Sequence, residues 1–281
     1  MLNPHGLFSI YSFLETFTMR KTALALSAAA SMCAPMLASA QQAAASPHTF
    51  TGNVALASEY LYRGIAQTRG KPAIQGGFDY AHSSGFYLGT WESNISWISD
   101  AVPGASASLE ADIYGGYKGS FAKDFGFDVG VLTYNYPGTG KPDPKPDTTE
   151  IYGALSWKWL TGKYSYSTTN LFGWKNPTTG ADSKGSGYWD LTGTYDVGSG
   201  FSLVGHIGYQ DVHGFSDASY TDWKLGVSKD LGVGTLGLYY SDTNAKADCN
   251  NAEPYCFVNP TSGNTYDAGK GRLLVTFGKT F

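Results

Sequence analysis

Apolar and polar side chains alternate along most of this chain, as they do in β-strands that have one apolar and one polar face. In the run that begins at Phe50, for example, Val54 and Leu56 share the face of Phe50, whereas Asn53 and Ala55 lie on the other. Spacing typical of an amphipathic helix is not found in the same region. Twelve alternating runs predict twelve strands, at residues 50–63, 72–81, 85–95, 107–117, 124–136, 148–159, 163–174, 186–197, 201–211, 220–229, 232–243 and 271–281.

The connections between these runs are alternately short and long. The short ones span residues 82–84, 118–123, 160–162, 198–200 and 230–231. The long ones span residues 64–71, 96–106, 137–147, 175–185, 212–219 and 244–270. Bacterial outer-membrane barrels have short periplasmic turns, long extracellular loops and an even number of strands. The pattern therefore predicts an all-β fold, a transmembrane antiparallel up-and-down β-barrel of about twelve strands with short periplasmic turns and long extracellular loops.

A membrane environment also explains which face of each strand is apolar. Lipid offers no hydrogen bonds to an open sheet edge, so the sheet must close, and its outward positions must be apolar with aromatic belts at both interfaces. The aromatic residues that we expect in these belts are Tyr60, Tyr62, Tyr80, Trp157, Trp159 and Tyr209. The alternative is a soluble β-sandwich, in which the same apolar faces would form a packed core.

Composition excludes several other classes of protein. The chain has 281 residues, including 36 Gly, 20 Tyr, 15 Phe and 7 Trp, and only 15% of its residues are charged. A mean hydropathy of −0.22 argues against a bundle of transmembrane helices. The formal net charge of −4 argues against a nucleic-acid-binding protein, which normally carries a basic patch.

The first forty residues have the features of an export signal. Met19, Arg20 and Lys21 precede an apolar stretch at 22–37, and the small residues of 38–40 form a cleavage box. We interpret residues 1–40 as an N-terminal extension and a cleaved signal peptide, with Met19 as the expected translation start. The alternative is a transmembrane anchor. The predicted mature domain, residues 41–281, is then exported to the outer membrane of a Gram-negative cell.

Cys249 and Cys256 are the cysteines of the predicted mature domain. An even pair in an exported chain predicts one disulfide. A loop this short contributes only about 2–3 kcal/mol through its closure, so the bond is expected to fix a loop rather than the fold.

The C-terminus has a pattern of its own. The chain ends at Phe281, and Phe277, Val275 and Leu273 precede it on the same strand face. This resembles the terminal-strand signature of outer-membrane barrels, which implies that Phe277 and Phe281 form an insertion signal for the barrel-assembly machinery. Lys279 departs from the signature, although a lysine near the interface can extend its ammonium group to water.

Two segments carry a family resemblance. Residues 53–64, NVALASEYLYRG, are followed by Gln67-Thr68 and by 72–76, PAIQG, and the block at 85–94 reads GFYLGTWESN. Together they resemble the opening of the TorF family of porins, and the resemblance extends from about residue 49 to the end. It implies an outer-membrane barrel that admits small solutes, and it identifies no particular substrate.

Polar positions on the predicted inner face are candidates for lining a pore. A twelve-stranded barrel lies between the eight-stranded ones that side chains fill and the sixteen-stranded ones that hold a water channel. Glu92 belongs to the inner face if Trp91 faces lipid. These charges either set ion preference or pair with one another in a structural network. The pore-lining candidates are Glu59, Arg63, Asp79, Glu92, Glu110, Asp112, Glu150, Lys158 and His206.

Arg63, Arg69 and Lys71 form a basic cluster around the first outer loop. It could recruit an anionic solute, contact lipopolysaccharide phosphates or simply be solvated. The 244–270 loop is rich in Asp and Asn, but no EF-hand spacing occurs in it. We therefore expect no metal and no cofactor.

The sequence favours an outer-membrane channel for passive diffusion of small hydrophilic solutes or ions. A structural or adhesive barrel without an open pore is the alternative, and a lipid-modifying enzyme is the least favoured, because no GxSxG motif or catalytic constellation occurs. Expected partners are outer-membrane lipids and lipopolysaccharide, the barrel-assembly machinery and small solutes, with no nucleic acid.

Overall fold

The computed structural model describes residues 46–101, 104–140, 145–176, 179–259 and 262–281. The predicted extension and signal peptide at 1–40, with Met19, lie outside the described residues. The strands are β1 (His48–Ala57), β2 (Leu61–Tyr62), β3 (Ile65–Ala66), β4 (Ala73–His82), β5 (Phe86–Asn94), β6 (Leu109–Ala122), β7 (Phe125–Asn135), β8 (Thr148–Trp157), β9 (Leu160–Ser167), β10 (Gly187–Gly198), β11 (Phe201–Asp211), β12 (Tyr220–Asp230), β13 (Thr235–Thr243), β14 (Cys256–Val258), β15 (Thr265–Asp267) and β16 (Arg272–Thr280). The helices are α1 (Trp97–Ala101) and three 3₁₀ turns, Leu171–Gly173, Ser216–Ala218 and Cys249–Asn251.

Twelve of these strands form a closed antiparallel barrel in the order β1, β16, β13, β12, β11, β10, β9, β8, β7, β6, β5, β4. Closure occurs at β1, where Asn53 is paired with Gly77 of β4 on one side and with Thr280 of β16 on the other. The barrel sheet therefore has no open edge, which is the requirement for strands that cross lipid. The predicted fold class is confirmed.

The two ends of the barrel differ as predicted. One end of the barrel holds the start of β1, the end of β16 and five short turns. These turns span 83–85, 123–124, 158–159, 199–200 and 231–234. Six longer connections, at 58–72, 95–108, 136–147, 168–186, 212–219 and 244–271, lie at the other end, which we call the mouth. Two small hairpins, β2–β3 and β14–β15, belong to these mouth loops.

The outward face of the barrel wall is apolar. Mid-strand residues such as Phe78, Leu155 and Leu225 are more than half exposed, at 73%, 63% and 59%. Trp157, Trp159 and Tyr209 are also exposed at strand ends, where aromatic belts are expected. In water so much exposed apolar surface would promote aggregation, whereas in a bilayer it is the surface that lipid covers. A soluble sandwich with these positions in its core is therefore wrong.

The predicted first strand is too long. β1 ends at Ala57, and the backbone N–H of Ser58 makes the last bond to the wall, to Val275. The chain then turns into the barrel mouth, so Tyr60 and Tyr62 are not members of an outer belt. Tyr60 is 6% exposed, and its hydroxyl donates to Glu110 Oε1 at 2.7 Å. The sequence alternation of apolar and polar residues extends through residue 63 because the buried loop after β1 has the same two-residue period.

The disulfide between Cys249 and Cys256 is present, with the two Cα atoms 5.1 Å apart. It closes the segment between the last 3₁₀ turn and β14 in the 244–271 loop. No helix among the described residues is long and apolar enough to cross a membrane.

Leu225 lies at the centre of β12 on the outward face, so Leu225→Arg places a charge near the midplane of the bilayer. We expect it to lower the free energy of unfolding in lipid vesicles by about 2–4 kcal/mol, measured by denaturant titration. Leu231→Arg, in the short turn that follows β12, is the matched control and should cost about 0–1 kcal/mol. Equal losses in the two variants would contradict the membrane-spanning placement.

Candidate pore interior and mouth

The inner face of the wall carries charged side chains at alternate positions. Of the predicted pore-lining residues, the structure places Asp79, Glu110, Asp112, Glu150 and His206 on inward positions of barrel strands. The sequence interpretation missed inward charges on four other strands, although most of them alternate with outward apolar neighbours that could have revealed them. These residues are Asp128 on β7, Lys163 on β9, Asp190 on β10, and Asp222 and Lys224 on β12.

Arg63 enters the barrel from the 58–72 loop and not from a strand. It is one of the two central residues of the β2–β3 hairpin, where Tyr62 pairs with Ile65 and both Arg63 and Gly64 have positive φ, 47° and 79°. Positive φ at both central positions defines the tight turn that two-residue hairpins prefer. A Cβ on Gly64 would lie 2.4 Å from Thr243 Cγ2, so only glycine lets this hairpin approach the barrel wall so closely.

The guanidinium of Arg63 links two strands that are not neighbours in the barrel. Its Nη2 lies 2.7 Å from Glu150 Oε2 on β8, and its Nη1 donates to Gln210 Oε1 on β11 at 2.6 Å. The rings of Tyr62 and Tyr188 lie 4.8 Å and 4.2 Å from its central carbon. Burial acts to lower the pKa of Arg63, but Glu150 more than offsets this and the pKa lies above its usual value. We call the segment 58–72, anchored in this way, the strap.

Glu59 fixes the start of the strap. Its carboxylate accepts from Arg272 Nε at 3.0 Å, from the Tyr266 hydroxyl at 2.7 Å and from the backbone N–H of Gly70 at 2.6 Å. Burial and the neighbouring Glu59 raise the pKa of Tyr266 to about 12, so this hydroxyl stays protonated and donates at neutral pH. Glu59 thus faces the strap and the β15 loop rather than lining the barrel wall.

The three residues of the predicted basic cluster, Arg63, Arg69 and Lys71, have different surroundings in the structure. Arg63 is paired inside the barrel, whereas Arg69 pairs with Asp100 Oδ1 at 2.9 Å and donates to the carbonyl of Asn264 at 2.7 Å. Lys71 is exposed. Each arginine has its own carboxylate because the strap folds inward, so the three cations do not form one surface.

Two predicted pore-lining residues lie elsewhere. Trp91 is 6% exposed and packs its ring against Tyr60 inside the barrel, so Glu92, one residue further along β5, points to the outer surface. Lys158 lies in the short turn after β8 with a φ of 54°, is exposed and covers the Trp157 ring at 4.9 Å. The turn begins two residues earlier than the sequence suggested, which removes Lys158 from the strand.

His206 lies among acidic residues of the two adjacent strands. Its Nε2 is 2.9 Å from Asp222 Oδ2, and its Nδ1 is 3.3 Å from Asp190 Oδ2 and 2.9 Å from the Thr192 hydroxyl. The Tyr188 hydroxyl donates to Asp222 Oδ1 at 2.9 Å. The Thr192 hydroxyl in turn donates to Asp190 at 2.8 Å, so it is not directed at the imidazole as a nucleophile would be.

Tyrosine hydroxyls donate to one acidic residue on β4 and to one on β6. The Tyr114 hydroxyl donates to Asp79 Oδ1 at 2.6 Å, as Tyr60 does to Glu110. Asp112 is 1% exposed, and its carboxylate has no hydrogen-bond partner among the described residues. Within the described part of the chain, no group of three or more His, Cys, Asp or Glu side chains is arranged to hold a metal ion.

A cavity of about 320 Å³ lies at the mouth, above the Arg63 anchor. It lies between two buried apolar clusters, one that includes Tyr134 and Tyr136 and one that includes Tyr220 and Tyr255. Phe172 contacts both clusters from a backbone with a φ of 47°, a conformation that costs energy for a residue with a side chain. The lining residues are Tyr62, Ile65, Gln67, Trp97, Ala101, Tyr136, Leu171, Phe172, Gly173, Trp174, Lys175, Gln210, Tyr220, Pro254, Tyr255 and Phe257.

A closed barrel with an apolar exterior and a charged interior defines the class of transmembrane β-barrels. Within that class, the chain belongs to the family described as "Bacterial protein of unknown function (Gcw_chp)", whose model matches residues 41–281. This match does not support the TorF family name that the opening segments suggested. No curated protein matches the sequence.

Among solved structures, the chain is similar to several porins. The KdgM porin is 7% identical, with a TM-score of 0.48 over 82% of this chain and 98% of that one. The NanC porin is 12% identical, with a TM-score of 0.47 over 83% and 98%. OprD of Pseudomonas aeruginosa is 12% identical, with a TM-score of 0.35 over 86% and 69%.

Replacing Arg63 by Met should destabilise the barrel, because Glu150, whose side chain is 3% exposed, would lose its countercharge. We expect the free energy of unfolding to fall by about 3–5 kcal/mol in a denaturant titration followed by tryptophan fluorescence. The double variant Arg63→Met/Glu150→Gln should recover much of that loss, and Lys71→Met on the same strap serves as the control. A double variant as unstable as the single one would show that the ion pair is not the anchor.

Proposed function

We propose that this protein is an outer-membrane porin-like channel through which small hydrophilic solutes or ions diffuse passively. The observation that carries the proposal is the combination of a closed, apolar-faced wall with charged side chains along its inner face. Lipid requires the apolar outer face. Charges on the inner face cost desolvation energy, which a barrel with only a packed core inside would have no reason to incur.

The proposed location follows from the same features. The predicted signal peptide would deliver the chain to the periplasm, and the barrel-assembly machinery would insert it. Phe277 is outward-facing on β16 and Phe281 follows that strand, which supports their proposed role as an insertion signal. Outer-membrane lipids would cover the apolar wall, and lipopolysaccharide would surround the mouth.

The proposed path runs from the mouth cavity past the strap into the lumen. The Arg63 anchor spans the interior between β8 and β11, so a solute that passes below the cavity meets its guanidinium. Inward tyrosines occupy further space, among them Tyr114, Tyr152 and Tyr188. Such a lumen favours small solutes over large ones.

A structural or adhesive barrel without an open pore is the second candidate. The pairing of Arg63 with Glu150 and of His206 with Asp222 favours it, because paired interior charges also serve as a stabilising network. We propose no enzymatic activity, since the hydroxyl nearest to His206 is committed to Asp190. Conductance separates the two remaining candidates.

In planar bilayers we expect the purified protein to give stepwise ion conductance. Arg63→Ala should give larger steps, because it removes the guanidinium that crosses the interior. Lys71→Ala is the matched control, since this strap residue is exposed and should leave the steps unchanged. Absence of steps in every preparation that retains the folded barrel would overturn the channel and favour the structural barrel.

The described interior charges predict a weak preference for cations. Seven inward carboxylates lie on the wall strands, against five inward cations and His206. The cations are Lys118, Lys163, Lys224 and Arg272 on the wall and Arg63 on the strap. Reversal potentials in a KCl gradient should therefore indicate that K⁺ passes more readily than Cl⁻. Lys163→Gln should increase this preference, whereas Lys229→Gln, on the outward face of β12, should not. A preference for anions would contradict the proposed role of the wall charges.

A further inference from the structure

The cavity at the mouth has walls that consist mostly of aromatic rings. They come from the strap, from α1, from the 136–147, 168–186 and 244–271 loops, and from the start of β12. The aromatic lining residues are Tyr62, Trp97, Tyr136, Phe172, Trp174, Tyr220, Tyr255 and Phe257. A site assembled from so many loops has a shape that no single element determines.

These rings hold one another in place. Trp97 packs edge-on against Tyr136, with ring centres 5.3 Å apart and an interplanar angle of 88°. Trp174 packs against Phe215 at 5.5 Å and against Tyr255 at 6.2 Å. The first two of these contacts are edge-to-face and the third is tilted, and such contacts restrict the ring orientations. The walls are therefore preorganised surfaces rather than mobile side chains.

Two of the tyrosine hydroxyls at the cavity are directed into the protein. The Tyr62 hydroxyl donates to that of Tyr134 at 2.9 Å, and the Tyr255 hydroxyl donates to the carbonyl of Ala218 at 2.6 Å. Consequently, these residues present their ring carbons, not their polar tips, to a ligand.

Two amides contribute polar groups to the lining. Gln210 is engaged, since its Oε1 accepts from Arg63 and its Nε2 donates to the carbonyl of Gly187. Gln67 is 7% exposed and donates through Nε2 to the carbonyl of Ile65, while its Oε1 accepts no hydrogen bond within the described residues. Gln67 Oε1 can therefore accept a hydrogen bond from a ligand hydroxyl.

The charges around the cavity disfavour both cations and anions as ligands. Lys175 is the charged residue of the described lining, and the Arg63 guanidinium lies behind Tyr62, so a cation would meet two positive groups. An anion would find Arg63 already paired with Glu150, and Lys175 is exposed to water, where its charge is screened. Burying an unpaired charge is costly, so a neutral ligand fits best.

We propose that this cavity binds a neutral sugar of one or two pyranose rings before it enters the lumen. A pyranose has an apolar C–H face, which can lie on an aromatic ring, and hydroxyl edges, one of which Gln67 would bind. The volume of about 320 Å³ lies at the small end of ligand sites, which range from about 300 to 1,000 Å³. The proposal rests on the channel function, because it names the solute class for that channel.

Isothermal titration calorimetry of the purified protein in detergent tests the site, with cellobiose, glucuronate and choline as probes. Cellobiose should bind, and glucuronate and choline should bind at least tenfold more weakly. Trp174→Ala should weaken cellobiose binding at least tenfold. Trp189→Ala is the matched control, since Trp189 is 60% exposed on the outward face of β10 and should leave binding unchanged.

A second variant tests the polar contact without removing an aromatic wall. Gln67→Met keeps the length of the side chain, and it should weaken cellobiose binding while the barrel keeps its circular dichroism spectrum. Tighter binding of choline or glucuronate than of cellobiose, or unchanged cellobiose binding in both cavity variants, would overturn the proposal.

The binding result and the conductance result are separable. A channel that conducts ions but shows no heat and no current change with cellobiose would overturn the sugar site and leave the channel intact. Cellobiose binding in a protein that never conducts would instead overturn the channel function while the cavity remained a binding site.

Discussion

Everything in this molecule follows from the need to pair every backbone N–H and C=O within the chain where lipid surrounds it. The twelve wall strands meet this need only because β1 bonds to both β4 and β16, which removes the last open edge. Closure gives each strand a face toward lipid and a face toward the interior. Side chains that alternate along the strand therefore contact lipid and the interior in turn. It also creates an enclosed volume, and what fills that volume decides whether the protein is a channel.

The wall was predictable from the sequence because period and loop length are local properties. The runs around Ile151 and Ile207 identify their strands, and the alternation of short and long connections identifies the two ends. The register of β5 was not predictable, since Trp91 and Glu92 fit either face until Tyr60 is known to lie inside. The predicted position of Lys158 was wrong for a related reason, because a turn can begin at a non-glycine residue with positive φ.

The interior was predictable only in part, because its contacts join residues that are far apart in the sequence. Asp79, Glu110 and Glu150 were expected on the inner face, but the partners Tyr114, Tyr60 and Arg63 come from other strands or from the strap. The mouth cavity was not predicted at all. Its aromatic residues lie in five connections and at the start of β12, and the period of a strand says nothing about where a loop folds.

The reach of the strap has a consequence for the order of assembly. Arg63 is 87 residues from Glu150 and 147 from Gln210, although it follows the first strand of the chain. Contacts so distant in sequence form slowly, since a long segment must be ordered before they are made. The β2–β3 hairpin therefore docks only after β8 and β11 have paired with their neighbouring strands. Its docking is a late event, and a barrel arrested before it would keep an unobstructed entrance.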